Sequence, residues 1–426
     1  MRPYIKNFEG RYKYDIINKT FMKGAFSMKK ILEIGQSKGC LVGNNDLVIQ
    51  SAVDYLSYLG GGTVKIGAGV FEIGSSIHLR SNVNLEGVPG ETVLKKCANV
   101  VSALATDGDA NERQLTLKNP DGFEPGHTVT IRFEGRSLGF LETVAVITGK
   151  EGNVVSIDRG LIQDYCMQNG NAIAERNFPV ISGYHCKNNR ISGITIDGNK
   201  ENNSLVGGCR NAGIFFFEAK NIAIEDCIVK MYNGDGISYQ TCKNVIVKNT
   251  ICSDNAGLGL HPGSGTTGTH ISGCTAINNG GDGIFVCWRV TQGIIENCLM
   301  ENNERNGLSI GHKDTHNIIR DNRIVRNKRN GILFRREIEP MGANYNLVEN
   351  NDIIDNGSDE YAKDSNGPGY IGIRIYGCTH DVKFINNRIS YETAGDTVGI
   401  LVEQGAYDNI FEENAYTGCT RDLVIL

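Results

Sequence analysis

The sequence predicts an all-β fold: a single-stranded right-handed parallel β-helix with coils of about 24 residues. Three observations lead there. Asn255, Asn279, Asn303 and Asn327 are each 24 residues apart, and each is followed four residues later by Gly259, Gly283, Gly307 or Gly331. Cys274, Cys298 and Asn322 keep the same beat, five residues ahead of an asparagine of the first series. Between these markers lie only short runs of alternating apolar residues, three per repeat, which leaves no room for a helix in a coil.

The first strand of each repeat starts at its glycine: Gly236-Ile-Ser-Tyr-Gln, Gly259-Leu-His-Pro-Gly, Gly283-Ile-Phe-Val-Cys, Gly307-Leu-Ser-Ile-Gly and Gly331-Ile-Leu-Phe-Arg. Strand side chains alternate faces. Ile237, Leu260, Ile284, Leu308 and Ile332 therefore point inward, and Ser238, His261, Phe285, Ser309 and Leu333 outward. A second strand follows at Asn221-Ile-Ala-Ile, Asn244-Val-Ile-Val and Asn317-Ile-Ile, and a third near Ile228, Leu299 and Ile324. Equivalent strands stack in parallel about 4.8 Å apart, and the crossover rule makes the winding right-handed. Asparagines stacked at a turn bond each other and buried backbone. Tyr232 takes that place in one earlier coil, and the cysteine series reads as small core residues.

Asp46 to Tyr58 carries Ile49, Ala52, Val53 and Leu56 at helical spacing, and Gly60-Gly61-Gly62 stops it. A helix there would cover the open first coil. Residues 104–170 break the rhythm with longer alternating runs such as Gly126-His-Thr-Val-Thr-Ile-Arg-Phe, which predict a small antiparallel β insertion. The domain reading is an N-terminal extension over 1–40 and a β-helix over 41–426. Residues 1–28 show no pattern, and two loops fall within 336–370.

The net charge of −5 gives no general attraction to nucleic acid. No apolar run approaches the ~20 residues that span a bilayer, so no membrane partner is expected. The first ten residues lack the apolar core of a signal peptide, and 13 cysteines without a short-range framework suit a reducing compartment, so the expected location is cytoplasmic. Cys274 and Cys298, on adjacent coils, are near enough in register for a disulfide.

The helix from Asp46, then Gly60-Gly-Gly-Thr-Val-Lys-Ile, Gly69-Val-Phe and Leu85-Glu-Gly, resemble the entry to the pectate-lyase-like right-handed β-helix superfamily, over roughly residues 40–420. The resemblance implies a carbohydrate-active protein, since the superfamily holds polysaccharide lyases, glycoside hydrolases, uronan epimerases and phage tailspikes. Its partner would be a polysaccharide or oligosaccharide. Many such lyases use calcium, although no compact carboxylate cluster in this sequence demands a metal.

Outward and strand-end positions are where the repeats disagree, so function is sought there. His261 stands in the glycine-rich Gly257-Leu-Gly-Leu-His-Pro-Gly-Ser-Gly. Trp288 and Arg289 end the strand one coil on, His312 and Lys313 the next, and Arg335 and Arg336 the one after. Arg289, Lys313 and Arg335 form a positive strip suited to bidentate recognition of carboxylates. Trp288, His312, Arg335, Arg336 and Gln240 are the candidate substrate-binding residues. Asp235 and Asp282 precede repeat glycines two coils apart, on the order of 9.5 Å by strand spacing, a separation that fits inverting glycoside hydrolysis. Asn233-Gly-Asp235-Gly-Ile also resembles the Asn-Thr-Asp-Gly-Ile of polygalacturonases, with Gly for Thr, but Ala256-Gly257-Leu258 stands where that family places its paired aspartates.

Three readings follow. In the first, a uronan is cleaved by β-elimination, with His261 or Lys313 as base and Arg289 or Arg335 neutralising the carboxylate. Asp235 and Asp282 serve an inverting hydrolase in the second. The third is a noncatalytic glycan-binding or tailspike-like solenoid.

Overall fold

The computed structural model describes residues 30–135, 139–365, 368–392 and 395–426. Three parallel sheets form the walls of a β-helix. The first, 11-stranded, runs from Ile77–His78 through Asp235–Gln240, Leu260–Gly263 and Ile284–Phe285 to Arg421–Ile425. The second has 13 strands, from Ile31–Gly35 and Leu41–Val42 to Ile410–Glu412. The third, 11-stranded, starts at Gly69–Ile73 and ends at Ala415–Thr417. Register follows the repeat: Ile284 pairs with Leu308, and Leu308 with Ile332. These inward residues join one continuous core along the solenoid.

The boundary drawn at residue 41 moves to Ile31, because Ile31–Ile34 pair with Thr63–Ile66 as a strand of the second sheet. That strand is one short apolar run without a repeat partner, so periodicity does not reveal it. Residues 1–28 lie outside the described residues. The helix spans Asp46–Tyr58, is capped by the Asn45 side chain at Val48 N, and buries Ile49, Ala52, Val53 and Leu56 in the first coils. Among the described residues no helix is long and apolar enough to cross a membrane.

The asparagine ladder is continuous. Nδ2 of Asn279 donates to Asn303 Oδ1 (3.0 Å) and to Cys252 O (3.0 Å), and Asn279 N donates to the same Asn303 oxygen (3.1 Å). Asn303 repeats the pattern onto Asn327, and Asn327 onto Asn356. Each side chain thus closes the buried polar groups of a turn that has no water to do so. A parallel ladder runs through Asn322, Asn351 and Asn387. Asn303→Ala strips two donors and an acceptor from buried partners and is expected to cost about 2–4 kcal/mol, read as a lowered denaturant midpoint. The cysteines are all free.

A six-stranded antiparallel sheet, with strands between Val101 and Glu175, interrupts the coils and has its own core around Leu117, Phe123, Ile131 and Tyr165. It meets the solenoid at His78, whose ring lies 2.8 Å from Ser182 Oγ and 3.0 Å from Thr128 Oγ1. Burial, helped by Arg80, pushes the His78 imidazole down to about 4. The unfolded chain takes up this proton near pH 6.5, before the folded one does. His78 therefore contributes fully above pH 6.5, and that contribution is lost as pH falls from 6.5 to 4, on the order of 3 kcal/mol. His78→Gln should flatten this part of the stability-versus-pH curve; an unchanged slope would show that the coupling is absent.

Candidate functional site

The outward residues of the first sheet are covered rather than open. His261 is 3% exposed and Asp235 4%, yet both lie on the outer side of the core. Asp235 Oδ1 accepts from Leu258 N (2.8 Å), and Oδ2 lies 2.8 Å from His261 Nδ1. The strand after Gly236 brings the carboxylate beside the imidazole of the following coil. With Nδ1–H committed to Asp235, Nε2 carries the lone pair. Gln240 Nε2 stands 3.5 Å from that atom and donates to Ser238 Oγ (2.9 Å). Gln240 Oε1 is buried without a hydrogen-bond partner among the described residues. A side chain at Gly263 would overlap the Gln240 amide, so the glycine after Pro262 makes this arrangement possible. Gly208 lies directly against the Asp235 carboxylate, where no Cβ fits, and its carbonyl accepts from Ser238 Oγ (2.6 Å).

Phe285 is the next member of the His261 column. The His261 ring meets it edge-on at 5.2 Å, and the Arg335 guanidinium lies over it at 4.3 Å. Arg335 reaches back across Gly311, where a Cβ would collide with it. Its NH2 donates to Val286 O (2.6 Å) and Asp314 Oδ2 (3.2 Å), and its NH1 to Ser309 Oγ (3.1 Å). Burial pushes the Asp314 carboxyl up to about 7, against the pull of Arg335 and the Val290 and Gly311 N–H groups. Imidazole and guanidinium thus both pack against one aromatic ring.

Asp282 is not beside His261 in this network. Its Oδ1 accepts from Asn306 N and Nδ2 (both 2.8 Å) and its Oδ2 from Ser309 Oγ (2.6 Å). Asp282 therefore holds the serine that holds Arg335. The chain of bonds continues through Asn306 and Asn330 to Tyr361. Tyr361 belongs to Asp359–Ser365, a short helix in the second expected loop, and its hydroxyl accepts from Arg374 NH1 (3.0 Å).

Trp288, Arg289, His312, Lys313 and Arg336 lie elsewhere, at the corner where the first sheet turns into the second. Trp288 and His312 stack at 5.2 Å, and Trp288 is 45% exposed. Two consecutive left-handed residues make this turn in each coil, Trp288 with Arg289 and His312 with Lys313. The structure thus separates the ten candidates into an enclosed set (Asp235, Gln240, His261, Asp282, Arg335) and an exposed corner set. Phe285, Ser309 and Asp314 were not singled out in the sequence. Phe285 carried a signal, an aromatic side chain in a column of Ser and His, whereas Asp314 carried none. Among the described residues no group of three or more His, Cys, Asp or Glu converges as metal ligands. Asp235 and Asp282 already spend their oxygens on protein donors. The described residues therefore do not fit a calcium site.

The family description "right handed beta helix region" matches residues 147–292, 264–338 and 286–422. The chain belongs to the right-handed β-helix family. No curated protein matches it. Among solved structures, this β-helix is similar to the A-module of a mannuronan C-5 epimerase from Azotobacter vinelandii, at 18% identity and a TM-score of 0.55, over 89% of this chain and 93% of that one. It is also similar to a hyperthermoactive exopolygalacturonase from Thermotoga maritima, at 14% identity and a TM-score of 0.55, over 97% and 95%. The Dettilon tailspike protein matches at 14% identity and a TM-score of 0.53, over 87% of this chain and 64% of the tailspike. At these identities the likeness establishes the fold.

Proposed function

We propose that this β-helix is an enzyme acting on a uronate-containing polysaccharide, and that it removes the proton next to the sugar carboxylate with His261. The observation that carries the proposal is the 2.8 Å Asp235–His261 pair, which orients Nε2 as the acceptor. The named activities of the epimerase and the exopolygalacturonase, both on acidic polymers, support the substrate class.

In β-elimination His261 Nε2 takes the C5 proton. The C5–H electron pair becomes the C4–C5 double bond as the C4–O4 bond breaks, and the departing oxygen takes a proton from His261 or water. Arg335, over the Phe285 ring, stabilises the charge that grows on the carboxylate. Asp235 is a positioning residue that fixes the tautomer. Substrate entry requires Gln240 or Phe285 to turn aside, because His261 is otherwise covered. The hydrolase reading has less support: each carboxylate is already engaged by protein donors, Asp235 with the imidazole and Asp282 with Asn306 and Ser309.

A panel of polyuronates tests the proposal. An unsaturated chain end should appear and raise ultraviolet absorbance. New reducing ends without that absorbance would mean hydrolysis. Exchange of the C5 proton with neither product would mean epimerisation, and binding with neither product nor exchange would mean a noncatalytic solenoid.

A further inference from the structure

Four guanidinium groups lie over aromatic rings on the strands of the first sheet or at their ends. Arg159 covers Tyr184 (4.9 Å), Arg210 covers Phe217 (5.3 Å), Arg335 covers Phe285 (4.3 Å) and Arg374 covers Tyr376 (4.4 Å). Three of them are paired with a carboxylate: Arg159 with Asp158 (2.9 Å), Arg335 with Asp314 (3.2 Å) and Arg374 with Glu403 (2.7 Å). The side chain of Arg210 has no carboxylate or hydrogen-bond partner among the described residues, although the residue is half-buried. Glu218, the acid that follows Phe217, is taken by His185 (2.9 Å). A partly desolvated cation on an apolar ring is costly until an anion joins it.

Arg210 is held there by a turn that lies over the outer face of the sheet. Arg210 N and Asn211 N both donate to Gly207 O (3.3 and 3.1 Å), and Gly208 O accepts from Ser238 Oγ (2.6 Å). The β insertion braces this turn. Glu142 Oε2 accepts from Gly207 N (3.3 Å), and a Cβ at Gly139 would stand 3.3 Å from Cys209 Cβ. Register sets the distance to the imidazole. Phe217 pairs with Gln240, and Gln240 with Gly263 on the strand of His261. Phe217 and His261 are therefore two coils apart, roughly 10 Å along the axis, an interval that a second sugar of the same chain spans. Gln240 stands on the coil between them, and its buried Oε1 lacks a donor among the described residues.

Building on the elimination reading, we infer that Arg210 binds the carboxylate of a second uronate, on the same chain as the sugar that His261 attacks. A hydroxyl of the bound chain supplies the donor that Gln240 Oε1 lacks. The substrate then carries uronates in close succession, and a single uronate among neutral sugars is a poor one. The β insertion acts in recognition by bracing the turn that presents Arg210.

The test is a cycle of protein and ligand changes read by calorimetry on the His261→Gln protein, which binds without turning over. The ligands are trimers of mannuronate and of galacturonate, and the same trimers with every carboxyl reduced. Adding Arg210→Gln should weaken binding of the better charged trimer about tenfold or more, the loss of a charge-assisted pair, and leave the reduced trimers unchanged. Arg210→Lys should restore part of the affinity, since it keeps the charge without the fork. Equal weakening of charged and reduced trimers would make Arg210 a brace for the turn and overturn the inference, as would no weakening of either. No binding of any charged trimer at millimolar concentration would overturn it too. Its failure is separable from that of the elimination reading. If the unaltered protein makes unsaturated product while Arg210→Gln leaves binding unchanged, only the Arg210 contact fails. Carboxylate-dependent binding through Arg210 without product means only the elimination fails.

Discussion

His261→Gln is expected to lower turnover of a polyuronate by about 10²–10⁴-fold, the usual contribution of a positioned general base. The glutamine amide can still donate to Asp235, so the buried carboxylate keeps a partner and the melting temperature should stay near that of the unaltered protein. Asp235→Asn is expected to act through the imidazole. The amide permits the other tautomer, with the proton on Nε2, so kcat falls while KM changes little. Retained activity in both variants would place the chemistry outside the enclosed cluster. Unfolding of both would make the pair a structural element of the first sheet.

Gly283→Ala is expected to be among the most destabilising small substitutions in the chain. A Cβ there would lie 2.7 Å from Gly307 O, 2.8 Å from Asn303 Nδ2 and 3.1 Å from Met300 Cγ. The first contact is with backbone of the next coil, which the ladder holds in place. The coils must then spread or the asparagine stack must break. A cost of about 3 kcal/mol or more follows from overpacking combined with lost buried hydrogen bonds. Denaturant unfolding of the variant measures it, and a midpoint near that of the unaltered protein would show that the solenoid can spread locally without penalty. The same reasoning explains why Gly236, Gly259, Gly307 and Gly331 stand at equivalent places.

The coil was legible because each turn must satisfy its own buried backbone, so the sequence repeats Asn and Gly at fixed spacing. The helix Asp46–Tyr58 was legible for a similar reason, since its four buried residues fall on one stripe. The strand Ile31–Gly35 was not, because pairing at the edge of the second sheet asks only for a short extended run. At the site, alternation placed His261 in the outward column of the first sheet, whereas Asp235 was legible only as the residue before a repeat glycine. It did not show that His261 bonds Asp235 rather than facing Asp282, or that Arg335 turns back over Phe285. Both depend on side-chain reach and on two glycines, Gly263 and Gly311, that leave space for a neighbour. The loop that brings Gly208 onto Asp235 carries no repeat and therefore no register. The sequence puts the corner residues and His261 in one set of candidates, whereas the left-handed turn residues carry Trp288, Arg289, His312 and Lys313 away from the enclosed cluster.

The most direct measurement follows the uronate C5 position itself. A polyuronate incubated with the protein in heavy water is read by proton NMR and ultraviolet absorbance, alongside the His261→Gln variant. Proton removal by His261 predicts loss of the C5 proton into an unsaturated chain end with the unaltered protein, and no such loss with the variant. Chain cleavage that leaves every C5 proton in place would contradict it.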